Sequence, residues 1–211
     1  MTDKISGFWF SPTYKCNNRC RMCYAGSKLS LRSTAKLADA QRYVQQLAKA
    51  GARSCILVGG DPTQYAELIP LVRFIHDLGL EVKIMSNGRA LADQGLVDEL
   101  KQAGLDYCAV SLEGIEPVHD NITRIPGSFS ESIRGLKNLM AAGIRCNTIT
   151  TVSRYNLGTL EKLVIFLRDL PVRVATFNMC SAQPSGYQPG EHSGQIELAE
   201  YARAVELIST R

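Results

Sequence analysis

The chain of 211 residues carries 24 Lys and Arg against 20 Asp and Glu, a formal charge of +4, with 45% hydrophobic and 21% charged residues. That balance excludes disordered, collagenous and low-complexity classes, and the length suffices to bury a core without disulfides. No run of like charges exceeds two residues, so nucleic acid is not an expected partner.

No apolar stretch approaches the roughly 18 residues of a membrane span. Met1 to Ser6 has no signal-peptide character, so the expected location is the cytoplasm, where the seven cysteines stay reduced. In chain order, short β-rich runs alternate with longer amphipathic ones. The first predicted strand, Phe8 to Ser11, runs into a cysteine-rich loop, Cys16 to Cys23. A helix follows over Thr34 to Ala50, where Leu37, Ala40, Val44 and Leu47 recur at helical spacing and Gly51 supplies the stop. The second strand, Ser54 to Val58, ends in Gly59-Gly60-Asp61-Pro62 and leads to a helix over Tyr65 to Leu78, closed by Gly79. The third, Glu81 to Ser86, ends in Asn87-Gly88 and precedes a helix over Leu91 to Ala103, closed by Gly104. The fourth, Tyr107 to Ser111, runs into Leu112-Glu113-Gly114, and the next helix spans Phe129 to Ala142 before Gly143. The fifth strand, Cys146 to Val152, is followed by a helix over Leu157 to Leu170. The sixth, Val172 to Asn178, ends in Met179-Cys180. Ala182 to Gly194 reads as a loop from its Gly, Pro and Ser content, and Gln195 to Thr210 as the closing helix.

Six strand–helix units, with strand starts at roughly 26-residue intervals in the middle of the chain, specify an α/β fold with a parallel sheet and helices outside it. Periodicity leaves a doubly wound sheet and an incomplete barrel both open. In either, ligands bind at the C-terminal ends of the strands. The cysteine-rich, glycine-rich and polar segments all fall at those ends, a clustering that points to an enzyme.

Cys16, Cys20 and Cys23 form a C-x3-C-x2-C triplet. Thiols this close converge on one centre when the loop curls, and soft thiolates select zinc, copper(I) or iron–sulfur. Structural zinc and ordinary iron–sulfur centres take four protein ligands. No fourth lies nearby: Cys55 enters an apolar strand, and His76, His119 and His192 are distant in sequence. Three thiolates on a cubane leave one iron open. Lys15, Arg19 and Arg21 would offset the negative charge of thiolates and cluster. A zinc loop completed by a distant ligand is the alternative at this point.

The triplet in the first strand–helix loop, with Gly-Gly-Asp-Pro in the second, resembles the radical S-adenosylmethionine (SAM) superfamily over essentially the whole chain. The resemblance implies a partial (β/α)6 TIM-like barrel with parallel strands, one core domain over residues 1–211 with an N-terminal tail at 1–7. It implies a [4Fe–4S] cluster on Cys16, Cys20 and Cys23, with SAM chelating the fourth iron through its amino and carboxylate groups. In that family an electron from the cluster cleaves SAM to methionine and a 5′-deoxyadenosyl radical, which abstracts a substrate hydrogen. Gly59, Gly60, Asp61 and Pro62 resemble the family's GGEP motif, which binds the SAM amino group, with Asp61 where Glu is usual. Glycines admit close backbone approach, and a carboxylate or carbonyl accepts from an ammonium. Ser86, Asn87 and Ser111 match the family's third and fourth strand ends and offer hydroxyl and amide groups to the SAM carboxylate and ribose.

His119 to Arg124, followed by Gly127-Ser128-Phe129, resembles the HDxxR…GSF stretch of the peptide-modifying branch, one residue longer here. By that match Arg124 forks onto the SAM carboxylate, Ser128 or Gly127 caps the next helix, and His119 is structural. Thr148 and Thr150 share a face with Val152 and are expected to turn their hydroxyls into the barrel toward ribose or substrate. Met22, Tyr24 and Met179 are expected to flank the adenine.

Cys55, Cys108 and Cys146 are expected to act as small core hydrophobes. Cys180 is expected at the active-site face, as ligand to a further cluster or as hydrogen donor to a product radical, and Glu113 is the candidate acid–base group. No Cys follows Cys180, so the cysteine-rich extension of larger relatives, called SPASM or twitch, is absent or the chain is a truncated core. The implied partners are a small-molecule or peptide substrate from peptide or natural-product biosynthesis and an electron donor such as flavodoxin or ferredoxin. Two other readings stand beside this one. An iron–sulfur or zinc module for electron transfer or structure requires a fourth ligand and no cleft. A SAM-binding scaffold requires no catalysis.

Overall fold

The computed structural model of the chain describes residues 5–29, 33–172, 174–180 and 194–209. Its six strands are β1 (Phe8–Thr13), β2 (Ser54–Gly59), β3 (Glu81–Ser86), β4 (Tyr107–Ser111), β5 (Arg145–Val152) and β6 (Ala175–Met179), hydrogen-bonded in that order in one sheet. Every neighbouring pair is parallel. A strand order that never reverses has no switch point, so all crossovers turn the same way and the helices collect on one face. That settles the topology periodicity left open: the sheet is singly wound, a segment of a barrel.

The helices are α1 (Gly26–Leu29), α2 (Leu37–Lys49), α3 (Leu68–Asp77), α4 (Gln94–Gln102), α5 (Val118–Thr123), α6 (Ser128–Ala141), α7 (Leu160–Arg168) and α8 (Leu198–Ser209). Gly51, Gly79, Gly104 and Gly143 follow α2, α3, α4 and α6 with φ between 68° and 95°, the left-handed stop that the sequence predicts. Several helices begin later than predicted because 3-10 turns at Pro62–Gln64, Ala90–Ala92 and Leu157–Thr159 precede them. Leu91, buried in such a turn, meets the helical spacing but lies outside the helix. The start of α4 is fixed by Asp93, whose carboxylate accepts from Gly95 N at 2.9 Å. The helices α1 and α5 are too short for periodicity to reveal. β1 continues through Pro12, which an edge strand tolerates at the register shift between Phe10 and Thr13. Residues 1–4 of the predicted tail, 173 of the sixth predicted strand, 182–193 of the predicted loop and 210 of the closing helix lie outside the described residues.

The outer face of the sheet buries Cys55, Leu57, Val82, Ile84, Cys108 and Val110 against Val44, Leu71, Ile75, Val97, Leu100 and Leu139 of the helices. Each such aliphatic side chain contributes roughly 1.5–3 kcal/mol relative to exposure. Cys55 and Cys108 are core residues, and Cys146 is partly buried against the same cluster.

The other face is concave. Trp9 of β1, Val58 of β2, Met85 of β3, Ser111 of β4, Ile149 and Thr151 of β5 and Asn178 of β6 line one cavity. The expectation for Thr148 and Thr150 is corrected here. They do share a face with Val152, but it is the helix-facing one: Thr148 lies in register with Val110 of the outer core. Strand alternation sends Ile149 and Thr151 inward instead. The Thr150 hydroxyl donates to Leu112 O at 2.7 Å. Among the described residues, no helix is long and apolar enough to cross a membrane.

Candidate active site

The cavity, about 400 Å³, is lined at the C-terminal ends of the strands by the thiols Cys16, Cys20 and Cys23 together with Met22, Tyr24, Gly59, Gly60, Asp61, Ser86, Asn87, Ser111 and Glu113. Twelve residues singled out by sequence thus meet on one wall system. Pro62, Arg124, Thr148, Thr150, Met179 and Cys180 do not line it.

The cysteine loop is held from three sides. On the first, Gly60 N donates to Thr13 O at 3.0 Å and Asp61 N to Lys15 O at 2.8 Å. A Cβ on Gly60 would lie 2.2 Å from Lys15 O, and one on Gly59, whose φ is +130°, 2.3 Å from Thr13 O. The glycine pair is therefore required by the backbone of the cysteine loop. The close approach that the sequence predicts for a ligand is made here by that backbone. On the second side, Arg19 N and Arg21 N donate to Thr123 O and Ile122 O at 3.0 and 2.9 Å, satisfying carbonyls at the end of α5 that the short helix leaves open. On the third, Arg89 Nη1 donates to Asn17 O at 2.6 Å and Asn18 Oδ1 at 3.0 Å, while its Nε bonds Glu131. Nothing in the sequence marks Arg89, which reads as a surface residue after an Asn-Gly turn.

Asp61 is the centre of a brace. Its buried carboxylate accepts from Thr63 N at 2.9 Å, Thr63 Oγ1 at 2.6 Å, Ser86 Oγ at 3.0 Å and Asn87 N at 2.7 Å. Burial pushes its carboxyl up and these bonds oppose that. Every hydrogen-bond partner of the carboxylate is a donor, which favours the anion against the cost of burial. Asn87 Nδ2 in turn donates to Asn17 Oδ1 at 2.6 Å and reaches Cys16 Sγ at 3.8 Å. The side chains of Asp61, Ser86 and Asn87, expected to meet SAM directly, spend these bonds joining the ends of β2 and β3 to the cysteine loop.

Glu113 is 6% exposed, and its Oε2 accepts from Thr151 N at 2.8 Å. Burial pushes its carboxyl up to about 8, with the Thr151 bond opposing. A carboxyl raised on folding favours the folded state most below its ordinary range, and that contribution is lost as pH rises through about 8. The cluster-free parent is therefore expected to lose urea resistance between pH 5.5 and pH 8.5. Glu113→Gln, whose amide oxygen keeps the Thr151 bond, loses less. Equal slopes in both proteins would show Glu113 ionised throughout.

His119 is 1% exposed, accepts Glu113 N–H on Nδ1 at 3.1 Å and packs edge-on to Phe129. Burial pushes its pKa down to about 4, so the imidazole is neutral. Gly127 is the N-cap of α6, as expected, and the carboxylate of Asp120 satisfies the helix start by accepting from Gly127 N, Ser128 Oγ and Phe129 N at 2.6–2.8 Å. Arg124 closes α5 in a left-handed conformation, φ 59°, and does not line the cavity. Met179 is exposed on the same face of β6 as Phe177, and Asn178 takes its place in the cavity. Cys180 is buried with Met22 and Ile122, and Cys20 packs against that group. Tyr24 lines the cavity and its hydroxyl donates to Gly59 O at 3.1 Å.

Burial pushes the Cys16 thiol up to about 12 and raises Cys20 and Cys23 as well. The cationic offset expected of the loop is not in place: Lys15 and Arg19 are exposed, and Arg21 lies over the Tyr155 ring at 5.3 Å. Deprotonation of these thiols would then fall to a metal bound by them. Among the described residues, no group of three His, Cys, Asp or Glu converges on a single-ion position. A cubane takes each thiolate on a separate iron, so three thiols around one cavity wall fit it better than they fit a lone zinc. Asn18 N donates to Cys16 Sγ at 3.4 Å, as suits a thiolate ligand. The remaining wall, with Gly59, Gly60, Ser111, Glu113 and Thr151, leaves room for a small ligand beside the cluster.

A singly wound parallel barrel segment with three cysteines of its first loop around the cavity at its C-terminal mouth is the architecture of a cluster-bearing enzyme core. A model of the radical SAM superfamily matches residues 10–167, and the chain belongs to that superfamily. The Fe-coproporphyrin III synthase of Methanosarcina barkeri is 27% identical over 211 residues, covering 99% of this chain and 52% of that protein. The AdoMet-dependent heme synthase of Oleidesulfovibrio alaskensis is 31% identical over 190 residues, 89% of this chain and 48% of that one. Streptococcus suis SuiB bound to precursor peptide SuiA has the same fold, with a TM-score of 0.80 at 18% identity over 98% of this chain and 46% of SuiB. The chain spans about half the length of the curated relatives it matches.

Proposed function

We propose that the chain is the catalytic core of a radical SAM enzyme. The observation that carries this is the placement of Cys16, Cys20 and Cys23 around one cavity at the strand ends, in a chain of that superfamily. When bound, the [4Fe–4S] cluster and SAM supply reductive cleavage to a 5′-deoxyadenosyl radical that removes a hydrogen from the substrate. The chain's own part is to hold and shield. The Asp61 brace, the Thr123 and Ile122 carbonyls and Arg89 fix the cysteine loop. Trp9, Val58, Met85 and Ile149 give the interior an apolar wall that keeps water and its hydrogens from a reactive centre. Ser111, Glu113 and Thr151 are the polar groups available to cofactor or substrate.

The substrate we propose is a biosynthetic intermediate. The two curated relatives carry tetrapyrrole-forming names, and SuiB holds a peptide. The electron comes from a flavodoxin or ferredoxin in the cytoplasm, and the exposed Lys15 and Arg19 beside the cysteines suit an acidic donor. The test is anaerobic. The protein is reconstituted with iron and sulfide, given SAM and a strong reductant, and assayed for 5′-deoxyadenosine. Product supports the proposal; a fully loaded cluster that binds no SAM overturns it.

A further inference from the structure

We infer that His119 is a cofactor-binding residue whose Nε2–H is a fixed, neutral donor for an acceptor atom of SAM. Four buried side-chain polar atoms lack a partner among the described residues, on Tyr65, His119, Asn147 and Thr148, and of these residues only His119 lines the cavity. Its tautomer follows from its bonding. Nδ1 accepts the Glu113 N–H, so its lone pair is in use and the ring proton sits on Nε2. A buried donor with no acceptor is costly, and a ligand that supplies the acceptor recovers the loss.

The ring cannot drift to find another partner. It is held by the Glu113 bond and by Phe129, whose centroid lies 6.0 Å away at 65°. Protonation would place a second hydrogen on Nδ1, against the Glu113 N–H, so the group binds and does not shuttle protons. The acceptor belongs to SAM because of where the ring stands. His119 is on α5, whose end carbonyls hold the cysteine loop, and it is bonded to the residue after Leu112 at the end of β4. It therefore sits on the cluster side of the cavity, where the molecule that completes the cluster must lie. This step rests on the proposed function.

Two substitutions separate the ring nitrogens. His119→Asn puts an amide oxygen where Nδ1 accepts Glu113 N–H and removes the Nε2 donor. His119→Gln keeps an amide N–H near the Nε2 position and gives up the Nδ1 acceptor. With cluster-loaded protein of matched iron content, equilibrium dialysis gives the SAM Kd, and thermal melting gives stability. His119→Asn is expected to bind SAM about tenfold more weakly while melting like the parent. His119→Gln is expected to bind like the parent while melting lower. In protein carrying [15N]His, the Nε2–H resonance is expected to move when SAM is added. Parental SAM binding by His119→Asn, or weak binding only where melting also falls, overturns the inference. A parent that binds no SAM at full cluster loading instead overturns the proposed function beneath it.

Discussion

Replacing Cys20 with Ala is expected to cut the iron retained after reconstitution to below about a tenth of the parent's, and 5′-deoxyadenosine formation with it. The expectation follows from the ligand count. Three thiols from one loop share the cavity, and no further group of His, Cys, Asp or Glu completes a metal site among the described residues. With one thiol gone, two of the three protein-ligated irons keep a thiolate and a third joins the open one, which leaves the cluster exposed to loss. The fold survives the change, because the cysteine loop is fastened through backbone groups of Thr13, Lys15, Arg19 and Arg21 and not through its thiols. Far-ultraviolet circular dichroism should therefore match the parent. Cys55→Ala and Cys180→Ala provide the contrast: neither residue lines the cavity, and both should keep a full iron complement. Iron retained by Cys20→Ala but lost from Cys180→Ala would move the metal site to the group that Cys180 forms with Met22 and Ile122.

The second large effect is on stability. Asp61→Ala is expected to lower the melting temperature by about 10 °C. The substitution strips the acceptor from Thr63 N, Thr63 Oγ1, Ser86 Oγ and Asn87 N in a fully buried place. Each buried donor left without a partner costs roughly 1–3 kcal/mol, and breaking a buried hydrogen-bond network is among the few single changes that exceed about 4 kcal/mol. In a chain of this size a loss of 1 kcal/mol lowers the melting temperature by about 2–4 °C. Asp61→Glu restores the residue usual in the resembled motif, yet it forces a methylene into a packed site and should cost about 1–3 kcal/mol. Both variants should also load iron less readily, because Asn87 passes the constraint to Asn17 and Cys16. Parental melting with lost SAM binding in Asp61→Ala would instead assign the carboxylate to direct contact with the cofactor.

The alternation of elements and the three thiols were legible because both are local signals. Gly51, Gly79, Gly104 and Gly143 announce helix ends through a backbone conformation that few other residues adopt, and three cysteines in one short loop carry their chemistry wherever the loop lies. Which residues touch the cavity is a different kind of fact. Arg124 and Met179 matched by position, but the left-handed closure of α5 and the pleat of β6 turn them elsewhere. Thr148 and Thr150 alternate in the right period, and a period of two names a pair of faces without saying which is inside. The face was decided by the helices: they bury Val110 and its register partner Thr148, and so leave Ile149 and Thr151 to the barrel.

Trp9, Arg89 and the donor nitrogen of His119 had no sequence signal at all, since each acquires its role from segments far away in the chain. Trp9 is 61% exposed on an edge strand and is a cavity residue because it shares one lining with residues as far along the chain as Asn178 of β6. Sequence by itself determined the order of strands and helices, the end of the sheet where polar groups gather and the three thiols proposed to hold the cluster, because backbone propensity and thiol chemistry act over a few residues. Tertiary structure alone decided the winding of the sheet, the inward face of each strand and the bracing of Asp61. Those depend on register and packing between segments that share no local pattern.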